Sequence, residues 1–192
     1  WSLFSYLSRL IYDFDNKYIV NLSIRRDGSS RFGRDTKWGY FPSASVGWRI
    51  SNERFFPASS AISDLKLRAS IGQTGNFSIP NYGAVALLEP ANYVLDNQPT
   101  NGLAPDTSPN ADLSWEKTTM ANFGLDAGFF QNKLTVNADY FISNTEDLLI
   151  NLPVPGTSGF STSLQNIGEV ENRGFELGVT GNFNIGSLQW SV

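Results

Sequence analysis

Acidic side chains come close together at two places in this 192-residue chain. Glu146-Asp147 supplies adjacent carboxylates, the residue type that acid–base hydrolysis employs. Asp13-x-Asp15-Asn16 supplies the oxygen ligands with which a calcium loop begins. Neither carries its chemistry far. Neighbouring residues in an extended segment point to opposite faces, so Glu146 and Asp147 do not converge on one substrate atom. The second group lacks the remainder of a calcium loop and its distal glutamate, and it reads as a turn. Histidine and cysteine are both absent. That removes cysteine-based zinc sites, thiol nucleophiles and every histidine-dependent triad. No G-x-S-x-G, P-loop or G-x-G-x-x-G occurs. The chain reads as a non-enzyme, with no cofactor, metal or catalytic residue to assign.

The densest cationic stretch is Arg25, Arg26, Arg31, Arg34 and Lys37. It reads as a solvated loop, partly neutralised by Asp27 and Asp35; anionic lipopolysaccharide or cargo are the partners such charges would take. The net charge of −4 argues against nucleic acid.

The elements that must position these residues are strands. Aromatics make up 14% of the chain, with 17 glycines and one methionine, a composition of strands and turns. No apolar run reaches the roughly 18 residues of a transmembrane helix. Period-2 alternation marks segments at 3–14, 18–25, 38–50, 65–72, 113–129, 134–143 and 175–183, and an eighth that starts at 188. The chain opens and closes inside such segments, and is expected to be part of a longer protein, incomplete at both ends. Connections alternate between a few residues and long stretches, the longest being 73–112, which is read as irregular. Residues 51–63 are an intermediate exception. Alternating short turns and long loops suit a transmembrane β-barrel. Aromatics also gather at strand ends, where a membrane interface would hold them. Tyr12, Phe14, Tyr18, Trp48, Phe129 and Trp190 stand beside short turns, and Trp38, Tyr40 and Trp115 beside long loops. The alternatives are a soluble, secreted carbohydrate-binding or adhesive β-sandwich, and a small closed eight-stranded barrel.

Four stretches then carry a resemblance. RRDGSSRFG followed by WGYFPSASVGWRIS, then DLKLRASIGQTGN, DLSWEKTTMANFGLD and NIGEVENRGFELGV resemble, in order, barrel segments of the SusC/RagA-type TonB-dependent transporters. The resemblance implies an all-β, antiparallel transmembrane barrel segment. It would have about eight meandering strands, short periplasmic turns and long extracellular loops. Residues 1–192 would be part of one barrel domain, with no plug domain in them. It further implies active import of a large nutrient, an oligosaccharide or peptide, through the outer membrane of a Bacteroidetes-like Gram-negative bacterium. The implied partners are a SusD-like surface lipoprotein acting as a lid, TonB through the plug region, and lipid with lipopolysaccharide.

Residue expectations follow from this frame. Lys66, Arg68, Glu116, Asp126, Asp139 and Glu176 fall on the polar side of their strands and are expected to face the lumen or plug. Tyr82, Asn92, Tyr93, Asn97 and Phe160 lie in long connections and are candidates for facing cargo or lid, the aromatics by stacking on sugar rings. Tyr12, Tyr18, Trp38, Trp48, Trp115, Phe129 and Trp190 are expected at the membrane interfaces.

Overall fold

The computed structural model describes residues 1–57, 61–185 and 188–191, with side chains up to 182 apart from that of residue 107. In chain order the strands are β1 (Leu3–Phe14), β2 (Tyr18–Ser29), β3 (Trp38–Arg49), β4 (Ile62–Asn76), β5 (Leu87–Leu95), β6 (Gln98–Thr107), β7 (Glu116–Phe129), β8 (Leu134–Glu146), β9 (Leu149–Pro153), β10 (Thr162–Asn166), β11 (Glu169–Ile185) and β12 (Leu188–Ser191). Eight of them form one antiparallel sheet in the order β1-β2-β3-β4-β7-β8-β11-β12. These are the eight alternating segments of the sequence. The sheet is open, with β1 and β12 at its edges, so neither a sandwich nor a small closed barrel is formed.

Two expectations need correction. Residues 26–29 continue β2 instead of starting a loop. The connection read as irregular contains a hairpin, β5–β6. The register accommodates its prolines. The two-residue turn at Asp96-Asn97, with φ of 50° and 58°, makes Leu95–Gln98 the hydrogen-bonded closing pair. Counting back, Val94–Pro99, Pro90–Leu103 and Leu88–Pro105 are non-hydrogen-bonded pairs, whose backbone N positions face outward. A missing N–H costs nothing there.

Cross-strand register sorts the large sheet into two faces. One row runs Phe14–Tyr18–Trp48–Leu67–Leu125–Ala138–Leu177. The next runs Tyr12–Val20–Val46–Ala69–Phe123–Tyr140–Phe175. Along such a row Trp48 stands beside the short-turn end of β3, whereas Leu177 lies well inside β11. Rows that drift along the strands in this way are the signature of strands tilted in a barrel wall. The opposite face reads Arg9–Ser23–Ser43–Gly72–Met120–Ser143–Asn172.

Neither face of the sheet is a core. Buried apolar residues gather at the long-loop end: Phe32, Phe41, Ile79, Ala84, Leu113, Trp115 and Leu164, with Phe77 and Leu149 packed against them. They come from β3, β10 and three separate connections, so the loops fold inward onto the polar side of the sheet around Phe41.

Candidate functional site

Three surfaces matter: the apolar face, the polar face and the loop end. On the apolar face large side chains stand open, with Phe175 and Leu177 67% and 62% exposed. A contiguous apolar surface of this extent is not left in water by a soluble monomer. Between Trp38 and Trp48, about ten residues at about 3.3 Å of rise and about 45° of tilt span roughly the 25 Å apolar band of a membrane barrel. Beyond the band the same face turns polar toward the loops, at Gln73, Thr119, Asn144 and Glu171 in register with one another.

Tyr12, Tyr18, Trp38 and Trp48 are exposed on this face, and Phe129 is partly exposed beside the short turn after β7. Trp115 is a correction. It is 2% exposed and sits inside the loop cluster, because its backbone leaves the strand one residue before β7 begins. The side chain of Trp190 lies outside the described residues.

At the short-turn end the aromatics bind a carboxylate. Tyr18 Oη donates to Glu53 Oε1 at 2.5 Å and Trp48 Nε1 donates to the same oxygen at 3.1 Å. The hydrogen bond from Tyr18, then that from Trp48, holds the Glu53 carboxyl below its ordinary value. A lowered folded-state pKa gives a contribution present at neutral pH and lost as pH falls through that depressed value. Trp48 fluorescence in the full-length parent is therefore expected to stay constant across the neutral range and to change only below the ordinary glutamate value of 4.5. Glu53→Gln should abolish that acid-side change.

The acidic group at the first turn behaves as the sequence implies. Asp13 Oδ1 accepts the Asn16 N–H at 2.9 Å, and Lys17 Nζ meets Asp15 at 2.8 Å. Among the described residues no acidic group is arranged to hold a metal ion.

On the polar face, Arg68 of β4 reaches two strands. Its Nε and Nη2 donate to Asp126 at 2.8 Å each, and Nη2 also donates to Asp139 at 3.0 Å. Asn137 Nδ2 completes Asp126 at 2.8 Å. Lys66 lies in register with Asp126, and Glu176 with Asp139. The bidentate geometry is the strong form of a guanidinium–carboxylate contact. Glu116 stands apart from this group at the loop end, where it accepts from Asn76 Nδ2 at 3.1 Å and the Leu149 N–H at 3.2 Å.

At the loop end, Trp115 packs against Phe32, Phe41 and Phe77 in tilted and edge-on arrangements, with centroids 5.2, 5.4 and 5.5 Å away. A Cβ on Gly75 would overlap both Phe41 and Trp115, so the glycine makes room for the cluster. Trp115 Nε1 donates to Lys37 O at 3.1 Å, and Thr36 Oγ1 to Leu113 O at 2.7 Å. Asn166 ties a third connection in: its Oδ1 accepts the Ser114 N–H at 2.8 Å, and its Nδ2 donates to Ser114 O and Asp147 O at 2.9 Å each. In the sequence Leu113-x-Trp115-Glu116 and Asn166-x-Gly168 are separate motifs. Their contact depends on register across β7, β8 and β11, which alternation does not encode.

The loop candidates do not converge. Tyr82 is 71% exposed in a turn with φ of 65°. Asn92, Tyr93 and Asn97 ride on the β5–β6 hairpin, all exposed. Phe160 is half-buried beside a short 3₁₀ turn, its N–H on Ser158 Oγ at 3.3 Å. The basic stretch also divides. Arg25 pairs with the buried Asp27 at 2.7 Å on the polar face, Arg31 Nε donates to Asn81 at 3.2 Å, Arg34 is exposed, and Arg26 lies on the apolar face.

Comparison with known proteins gives this geometry relatives. Residues 5–192 match a family model described as TonB dependent receptor-like, beta-barrel. TonB-dependent receptor P39 of Formosa agariphila is 44% identical over 93% of this chain and 17% of its own length. TonB-dependent receptor SusC of Bacteroides thetaiotaomicron is 39% identical over 93% of this chain and 18% of its own length. The solved structure of the RagAB peptide transporter superposes with a TM-score of 0.85 at 40% identity, over 95% of this chain and 20% of that one. The siderophore receptor PirA from Acinetobacter baumannii, at 15% identity and a TM-score of 0.60, shares the fold alone.

Proposed function

The chain belongs to the TonB dependent receptor-like β-barrel family, and from that premise we propose that its full-length parent imports a large nutrient, an oligosaccharide or a peptide, across the outer membrane with a SusD-like lipoprotein as lid. The chain spans less than a fifth of the curated relatives named above, so import, cargo and partners are proposals about the parent. The observation that carries the reading is one sheet whose exposed apolar face, edged by aromatics, backs onto a polar face, with its longest connections at one end.

In this reading the apolar face meets lipid and the short turns lie in the periplasm. Arg68, Asp126, Asp139, Lys66 and Glu176 line the lumen or meet the plug, where mixed charge suits a hydrated interface. TonB engages a plug region outside these residues. The transport work is binding and conformational change, with no covalent step.

The β5–β6 hairpin is assigned to cargo or lid contact. It projects Tyr93, Val94 and Leu95, 50%, 72% and 60% exposed, together with Asn92 and Asn97. An exposed apolar tip edged by amides suits a partner surface better than water. Because Leu87 pairs with Thr107, residues 87–107 can be replaced by a short glycine linker without moving the cluster residues. That variant of the full-length parent is expected to reach normal membrane levels with reduced cargo uptake or reduced lid association. Unchanged uptake together with unchanged lid association would remove the hairpin from both roles.

A further inference from the structure

We infer that the outward rim of β1–β3 carries a site for the phosphate group of a lipid in the leaflet on the long-loop side, with Arg26 as its cation. Register fixes where Arg26 points. It stands in the row Tyr6–Arg26–Tyr40, on the apolar face. Its neighbours Arg25 and Asp27 turn to the polar face and pair with each other at 2.7 Å.

The rest of that face on the three strands is aromatic or aliphatic apart from Ser8 and Gly28. Arg26 is the one charged side chain on it. A lone cation is costly at the bilayer midplane and far less so at the interface, so this position, beyond Ile24 and Pro42, belongs at headgroup depth.

The surroundings form a seat. The Arg26 guanidinium carbon lies 4.2 Å from the Trp38 ring centre and 5.2 Å from that of Tyr40. Trp38 is able to lie there because residue 28 is glycine: a Cβ would come within 2.7 Å of the indole. The indole in turn stacks on Tyr6, with centroids 6.2 Å apart and planes 29° from parallel.

Arg26 Nε is buried with no hydrogen-bond partner, and no ion pair involves Arg26 among the described residues. With Nε shut in, the terminal nitrogens face the headgroup layer. Tyr6 and Tyr40 flank them in register, each bringing a phenol hydroxyl. Guanidinium and phenol donors together match the oxygens of a phosphate. The exposed Phe4, Leu10 and Ile24 alongside suit a phosphate that carries acyl chains better than a free ion.

The inference rests on the outer-membrane reading, and its test separates the two. The full-length parent, purified in detergent, is titrated with a phosphorylated glycolipid of the outer leaflet, with the same lipid dephosphorylated, and with inorganic phosphate. Bound lipid is counted by native mass spectrometry. Arg26→Gln is expected to weaken retention of the phosphorylated lipid at least about tenfold, the loss of a bidentate charge-assisted contact. Arg26→Lys should fall between, and Gly28→Val should weaken retention with the arginine intact, by displacing Trp38. Arg31→Gln, on the inward-folded loop, should leave it unchanged. Heat-modifiable gel mobility verifies that each variant's barrel is folded. Equal retention by wild type and Arg26→Gln, or by the two lipid forms, overturns the site. Displacement of the lipid by inorganic phosphate at matching concentration overturns the lipid assignment in favour of a free-anion site. Recovery of the parent in the soluble fraction would instead overturn the membrane reading itself.

Discussion

Leu67→Arg in the full-length parent is expected to destabilise the barrel by about 2–4 kcal/mol and to lower its assembled level in the membrane. The apolar run of β4 is Ile62, Leu65, Leu67, Ala69 and Ile71, and it ends at Gln73. Leu67 is its midpoint, in register between Trp48 and Leu125. A guanidinium there has lipid around it and no carboxylate on its face within a strand. Val136→Arg should cost less. On β8 the apolar run is Leu134, Val136, Ala138, Tyr140 and Ile142, so Val136 stands one pair nearer the short-turn end, where the side chain reaches headgroups. Ser70→Arg is expected within about 1 kcal/mol, because Ser70 lies between Ser45 and Asn122 on the polar face. Urea midpoints of the refolded parent in lipid vesicles read the three values. The order Leu67, Val136, Ser70 is the expected result. A Ser70 variant as damaged as the Leu67 variant would remove the lipid-facing assignment.

Alternation identifies the two faces because each strand has to present lipid-like residues to one side. The information is local and repeats strand after strand. Trp115 was misplaced for the same reason. Its spacing continues the alternation of Phe123, Leu125 and Ala127, but pairing stops at Glu116. Beyond that residue the chain turns inward, and periodicity has no meaning once the ladder ends. Arg26 reads as a loop residue because it belongs to a run of charges that suits a solvated loop. Pairing with β1 and β3 on both sides overrode that local preference. The β5–β6 hairpin is not visible as alternation, and its prolines are tolerated because their backbone N positions face outward.

The four quoted motifs carried more than the alternation. They lie around the loop cluster: Phe32 and Phe41 in the first, Gly75 and Asn76 in the second, Leu113, Trp115 and Glu116 in the third, Asn166 in the fourth. These residues meet only after the sheet has brought the long-loop ends of β3, β4, β7 and β8 side by side. The resemblance was thus legible as sequence, while its physical cause, one shared cluster with its hydrogen bonds, required the register.

Trp115→Ala is expected to remove about 3–5 kcal/mol from the loop cluster while leaving the strands in place. The indole is almost fully buried, touches three aromatic rings and, through Nε1, holds the backbone of the β2–β3 connection at Lys37. Its loss leaves Phe32, Phe41 and Phe77 around a cavity and Lys37 O with the Ser29 N–H as its remaining donor. The three connections are fastened to one another mainly here and through Asn166, so they should open together. Hydrogen exchange in the full-length parent is the measurement. Amides in 30–37, 77–86 and 147–168 should lose protection, whereas those in β7 and β8 below the cluster should keep theirs. Trp115→Phe retains most of the buried area and loses the Nε1 hydrogen bond, for a cost of about 1 kcal/mol, and should loosen 30–37 more than the others. Tyr82→Ala, at an exposed turn, should change exchange by less than about 0.5 kcal/mol. If the three connections kept their protection in Trp115→Ala, they would be held independently, and the cluster would not be the joint on which the loop end is built.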